Sequence, residues 1–205
     1  MEIHQVGGHP PDCNMYLLLD EKIVLIDAGT GENMKLVRRR LSEIGISAKD
    51  IDLLINTHGH YDHAGGDVYF SAEGRPVACH ELEVEMIETG NPDLTASSLF
   101  GRRMRGIRVS RKLREGDLIE LGQSRLRVFH TPGHTAGSIS LFEEEKRILF
   151  CGDLIFEEGV GRTDLPTGNA AQLLNSIRRI ARLGPKRILP GHGPEFEGES
   201  LCSYL

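Results

Sequence analysis

Three histidines and an aspartate fall within six residues in the stretch Thr57-His58-Gly59-His60-Tyr61-Asp62-His63-Ala64-Gly65-Gly66. Neutral imidazole and carboxylate are the usual donors to zinc or iron. So dense a group of them, directly after an apolar run, is costly unless a cation binds there. Three later motifs each present one more side chain of this kind on a tight Gly/Pro turn. Thr131-Pro132-Gly133-His134 presents His134, Cys151-Gly152-Asp153 presents Asp153, and Leu189-Pro190-Gly191-His192-Gly193 presents His192. Glycine permits backbone geometries that other residues resist, and turns over rigid strands are where functional side chains sit. The set is five histidines (His58, His60, His63, His134, His192) and two aspartates (Asp62, Asp153). Seven donors are too many for one tetrahedral ion and suit two ions about 3.5 Å apart sharing a carboxylate and a hydroxide.

The elements that must position these turns are short and apolar. Residues 16–19 and 23–26 read as strands joined by Asp20-Glu21-Lys22. Met34, Val37, Leu41 and Ile44 recur at helical spacing up to Gly45, and a buried strand over 51–55 then runs into the histidine cluster. A short helix is expected from Asp62 to Phe70, a strand over 76–79 and an acidic helix over 80–88. Strands follow over 117–121, 125–129, 138–142 and 147–150, then an amphipathic helix through Leu173, Ile177 and Ile180 to Gly184-Pro185, a last strand over 187–189, and a polar tail from Glu195. Each half thus has hairpin strands, a helix, and a strand ending in a histidine motif. This pattern predicts two packed sheets with helices outside and the donors gathered at one edge, in a single domain over 1–205.

Composition narrows the function. The chain has 205 residues, 39% apolar and 26% charged, with a formal charge of −6, which argues against a general nucleic-acid or anionic-membrane binder. No apolar run is long enough to span a bilayer. Met1-Glu2-Ile3-His4-Gln5 lacks the features of a signal peptide, so a cytoplasmic protein is expected. The scattered Cys13, Cys79, Cys151 and Cys202 read as buried free thiols and not as a disulfide framework. His4, His9, His80 and His130 read as ordinary hydrogen-bonded or surface residues, although His130, just before the Thr131 turn, has the position of a partner to a ligand. Arg102, Arg103, Arg105, Arg108, Arg111 and Lys112 form the one basic concentration, either a solvated surface or a cap attracting an anionic substrate. Monomer and homodimer both remain open.

The ordered set His58-x-His60-x-Asp62-His63, His134, Asp153 and His192 resembles the metallo-β-lactamase superfamily over essentially the whole chain. The resemblance implies an α+β fold, the four-layer αββα sandwich. It implies one metal on His58, His60 and His134, a second on Asp62, His63 and His192, and Asp153 between them. Zinc is the first expectation, with iron or manganese as alternatives. Gly133-His134-Thr135-x-Gly137-Ser138, Gly161-Arg162-Thr163-Asp164 and Pro190-Gly191-His192-Gly193 are most similar to the short, single-domain members of the glyoxalase II (hydroxyacylglutathione hydrolase) group. The longer members carry a C-terminal helical domain that grips glutathione, whereas this sequence ends 13 residues after His192.

That resemblance implies a thioester hydrolase working through a metal-bridging hydroxide, with Asp62 as the catalytic residue that orients it. Arg162 is the candidate for binding a substrate carboxylate, or else pairs with Asp164. Tyr61 is assigned no role. The competing readings are a mononuclear iron persulfide dioxygenase using His58, His134 and Asp153, a lactone or phosphoester hydrolase at the same site, and a non-catalytic metal-binding protein.

Overall fold

The computed structural model describes residues 1–204, with side chains described up to Leu201. One sheet contains β1 (Glu2–Gln5), β2 (Tyr16–Leu19), β3 (Ile23–Ile26), β4 (Leu53–Ile55), β5 (Val77–His80) and β6 (Arg111–Leu113), in that order. The second is built from β7 (Leu118–Glu120), β8 (Arg125–His130), β9 (Ile139–Glu143) and β10 (Ile148–Gly152). A small hairpin, β11 (Ile155–Phe156) and β12 (Gly159–Val160), precedes β13 (Arg187–Pro190) and β14 (Phe196–Glu197), which complete that sheet in the order β14-β13-β10-β9-β8-β7. The helices are α1 (Met34–Glu43), α2 (Tyr61–Ala64), α3 (Asp67–Ser71), α4 (Val84–Thr89) and α5 (Ala170–Ala181).

The near-continuous apolar strands follow from burial on both faces. Leu18, Val24, Ile26 and Ile55 pack between the sheets against Leu126, Val128, Leu141, Phe150 and Leu189. Their neighbours Leu17, Leu25 and Leu54 face outward onto Met34, Val37 and Leu41 of α1. On the far side, Leu149 and Ile188 meet Leu173, Ile177 and Ile180 of α5. Three apolar layers therefore separate four layers of structure, the αββα sandwich.

Parallel pairing places the donors. β3 and β4 are parallel and joined through α1, and β10 and β13 are parallel and joined through α5. Their C-terminal ends bring together four turns: Asp27, the 57–63 cluster, Asp153 and the 190–193 loop. The antiparallel turn between β8 and β9 adds His134, and the amide of Ile139 donates to the Thr57 carbonyl across the sandwich (2.9 Å).

Several boundaries differ from expectation. The 51–55 strand begins at Leu53, because a 3-10 turn at Ala48–Asp50 leads into it. The helix expected from Asp62 to Phe70 is two helices, α2 and α3, interrupted at Gly65-Gly66. There the Ala28 carbonyl packs so closely on Gly66 that a Cβ would collide with it. The acidic helix is a 3-10 turn, Glu81–Glu83, followed by α4. The polar tail is not featureless: it supplies β14 and a 3-10 segment, Gly198–Tyr204. Cys13, Cys79 and Cys151 are buried free thiols, while the side chain of Cys202 lies outside those described. No described helix is long and apolar enough to cross a membrane.

Candidate metal centre

The four turns and the β8–β9 loop converge on one edge of the sandwich. Donor atoms of His58, His60 and His134 lie within 4.8 Å of one another, and so do those of Asp62, His63 and His192. Asp153 stands between the two trios. Its Oδ2 is 3.6 Å from both His134 Nε2 and His192 Nε2, and its Oδ1 is 3.2 Å from His63 Nε2. Asp62 Oδ2 lies 3.1 Å from His192 Nε2. All seven donors read from the sequence are thus brought together.

Outer partners fix the orientation of the rings. His63 Nδ1 is 2.9 Å from Asp27 Oδ2. A carboxylate only accepts, so that nitrogen carries a proton. Nε2 faces Asp153. Burial pushes the His63 imidazole down, but Cys13, Asp153 and Asp27 outweigh it and hold it well above its ordinary value, so the Nε2 proton is the one a cation would displace. His134 Nδ1 donates to the Arg162 carbonyl (2.8 Å), which leaves its Nε2 toward His60 Nδ1, also 2.8 Å away. Thr57 Oγ1 donates to Asp27 and lies 3.2 Å from His58 Nδ1. That arrangement directs His58 Nε2 inward, where it is buried without a hydrogen-bond partner. Burial, reinforced by neighbouring rings, holds the His58 imidazole well below its ordinary value and lowers that of His60 to about 3. Both stay neutral, the ligand-competent form. Burial pushes the Asp153 carboxyl up, but His63, His192 and His134 outweigh it and keep Asp153 ionised. The neutral His58 and His60 rings, an orphaned ring nitrogen and an ionised carboxylate between the two trios fit divalent metal.

A further trio, Cys13, Asp27 and His63, also lies within ligand distance. It is a poor site, because burial pushes the Cys13 thiol up to about 12 and the thiolate is the ligand form.

Three site residues were not singled out in the sequence. Asp27 holds both Thr57 and His63, and it does so with a φ of 60°. Its signal is an acidic residue closing an apolar strand before Ala28-Gly29, the same design as Asp153. Glu83 is 1% exposed and accepts from the amides of Gly59 (2.7 Å) and Gly137 (2.8 Å) and from Thr135 Oγ1 (2.9 Å). It ties the loop bearing His58 and His60 to the loop bearing His134. A Cβ on Gly59 or Gly137 would lie 3.1 or 2.6 Å from a Glu83 oxygen, so both glycines are needed for the carboxylate to reach the backbone. Asn14 is the third.

Other expected residues fall as follows. The Arg162 guanidinium forms a two-pronged ion pair with Asp164 (2.8 and 2.7 Å) and is exposed; its carbonyl is the part that touches the site. Tyr61 packs its ring on Phe100, 5.4 Å between centroids. His130 stacks on His80 (4.2 Å) and bonds the Ala136 carbonyl, so it braces the His134 loop and no ligand ring. Residues 95–100 cover α2, with the Tyr61 amide donating to Thr95. Beyond them Met104, Ile107 and Val109 are buried while Arg103, Arg105 and Arg108 are exposed, and Arg102 pairs with Glu32 (2.9 Å).

The family model of the metallo-beta-lactamase superfamily matches residues 9–192. A probable metallo-hydrolase of Methanocaldococcus jannaschii is 40% identical over 98% of this chain and 97% of its own length. A hydroxyacylglutathione hydrolase of Haemophilus influenzae is 30% identical (94% and 90%), and an acyl-coenzyme A thioesterase of Gallus gallus is 34% identical (92% and 75%). Among solved structures, the BLEG-1 B3 metallo-beta-lactamase superposes with a TM-score of 0.84 at 30% identity, covering 98% of this chain and 97% of that one. TTHA1623 in a di-iron-bound form gives 0.80 at 31%, covering 97% and 96%.

Proposed function

The chain belongs to the metallo-β-lactamase superfamily, and on that premise we propose that this metal-dependent hydrolase is a binuclear enzyme acting on thioesters of anionic thiols. The observation that carries the proposal is the completeness of both trios with Asp153 between them. His58, His60 and His134 would hold one ion, Asp62, His63 and His192 the other, and Asp153 would serve both. Ions held there would supply a hydroxide nucleophile near neutral pH and a Lewis acid for the acyl carbonyl. Asp62 orients the attacking oxygen. Asp27 and the Arg162 carbonyl keep His63 and His134 in the tautomers that ligation needs. A thiolate leaves readily, so no strong general acid is required.

Two relatives support the thioester class, since both of their names specify acyl-thioester chemistry. The anionic thiol is supported by Arg103, Arg105 and Arg108, exposed along the segment that continues from the cover over α2. Arg162 would add to this by exchanging Asp164 for a substrate carboxylate or phosphate.

The test is hydrolysis of lactoylglutathione, acyl-coenzyme A, a lactone and a phosphodiester by zinc-, iron- and manganese-loaded protein. Thioester turnover that disappears, with metal content, in His60→Ala is the expected outcome. Fully loaded protein that leaves both thioesters intact would sink the proposal. One iron per chain with oxygen uptake on a persulfide would instead establish the dioxygenase.

A further inference from the structure

His192 is the candidate ligand with the weakest local support. Its side chain is 38% exposed, and among the described residues no outer hydrogen bond fixes its Nδ1. The residues on either side are glycines, and Gly193 has a φ of 77°. Gly191 cannot be larger, because a Cβ there would collide with Asp153 Oδ1 and approach His63 Cε1 to 2.7 Å. A loop so rich in backbone freedom loses much entropy on being fixed, so something else must hold it.

Asn14 does so from the far end of the sequence. It is 5% exposed in the connection between β1 and β2. Its backbone amide donates to the Gly191 carbonyl (2.6 Å), and Nδ2 donates to the carbonyls of Pro190 (3.0 Å) and Gly193 (2.8 Å). Oδ1 accepts from Gln5 Nε2 (2.7 Å), which fixes the orientation of the amide. One residue thereby bonds every residue around His192 in the 190–193 loop. The loop is also tied by the Gly191 amide to Gly152 and the Tyr16 hydroxyl to Pro190, both 2.8 Å. The preceding residue extends the clamp, since the Cys13 amide donates to the Asp62 carbonyl (3.1 Å). The backbones carrying Asp62 and His192 are therefore both held by the Cys13-Asn14 step, and among the described residues no backbone hydrogen bond runs from it to His58, His60 or the His134 loop.

We propose that Asn14 is a positioning residue for His192, which sets the affinity of the Asp62, His63 and His192 trio for its ion and leaves the other trio untouched. The inference rests on the two-ion reading above. Its test is a competition titration of zinc into metal-free protein against a chromophoric chelator, read as two successive affinities. Asn14→Ala should weaken the second equivalent about 10- to 100-fold, the usual cost of losing a ligand's supporting hydrogen bonds, with the first equivalent unchanged. Asn14→Asp keeps the volume but turns an oxygen toward two carbonyls, and should act in the same direction. In a His192→Ala background, neither change should shift zinc affinity further. Equal weakening of both equivalents, no weakening, or additivity with His192→Ala would overturn the assignment. Wild-type protein that takes up one equivalent overturns the two-ion reading and this inference with it.

Discussion

Replacing Glu83 by alanine should destabilise the fold by about 3–5 kcal/mol, the net of three orphaned buried donors against recovered desolvation of the carboxylate, and loosen the His58, His60 and His134 trio. The carboxylate accepts three bonds from two loops, at 2.7, 2.8 and 2.9 Å. Orphaning a buried donor costs roughly 1–3 kcal/mol each, so the gross loss is about 3–9 kcal/mol. Two effects reduce it. Burial raises the Glu83 pKa despite its donors, so deleting the ion recovers desolvation. Water can also enter the space left behind. Glu83→Gln retains one acceptor and opposes one N–H with another, a cost of about 1–3 kcal/mol. For a chain of this size each kcal/mol moves Tm by about 2–4 °C, so alanine should lower the metal-free midpoint by roughly 6–20 °C, with glutamine between alanine and wild type. Differential scanning calorimetry of metal-free protein measures both. Affinity for the first metal equivalent should fall in the same order. An alanine variant melting within 2 °C of wild type, or a glutamine variant less stable than alanine, would refute the reasoning.

Asp27→Asn retains a residue that tolerates positive φ but weakens the acceptor for His63 and Thr57. It should cost the second metal equivalent about 10-fold in affinity with little change in melting, measured by equilibrium dialysis with metal analysis. His80 is 4% exposed, accepts from the Leu82 amide and stacks on His130. Burial first, and then the His130 ring, lower its pKa to about 4. An unfolded histidine titrates near 6.5, so between these values the unfolded chain binds the extra proton and stability rises with pH. The contribution is complete above about pH 6.5 and lost on acidification to about pH 4, up to about 3 kcal/mol. Urea midpoints of His80→Gln should show a flatter acid limb than wild type.

The donors were legible because each follows an apolar strand on a Gly- or Pro-marked turn, so residue type, local pattern and position all agreed. The two-half organisation was legible for the same reason: β3–α1–β4 and β10–α5–β13 each leave a run, a helical period and a second run. Glu83 was not, because it lies among Glu81, Glu85 and Glu88. Only the packing of Gly59, Thr135 and Gly137 around it distinguishes a buried staple from a solvated acid. Asn14 was hidden by separation, since its partner Pro190 is 176 positions away. The edge strands β1, β6 and β14 were missed because they are short and polar, and pairing alone orders them.

The supports fall where they do because neither sheet completes a trio alone. His58 and His60 extend from the first sheet and need His134 from the second. Asp62 and His63 extend from the first and need His192 from the second. Any slip between the sheets would pull both trios apart, so binding a cation across them and packing the sandwich are linked equilibria, and metal bound there would stabilise the fold by mass action. The converse linkage explains the staples. A ligand loop free to move must be ordered when the ion binds, and that entropy is subtracted from affinity. Glu83 reaches from the first sheet to the His134 loop, and Asn14 reaches from the first sheet to the His192 loop. Each spans the same gap as the trio it serves, so the order is already present when the cation arrives.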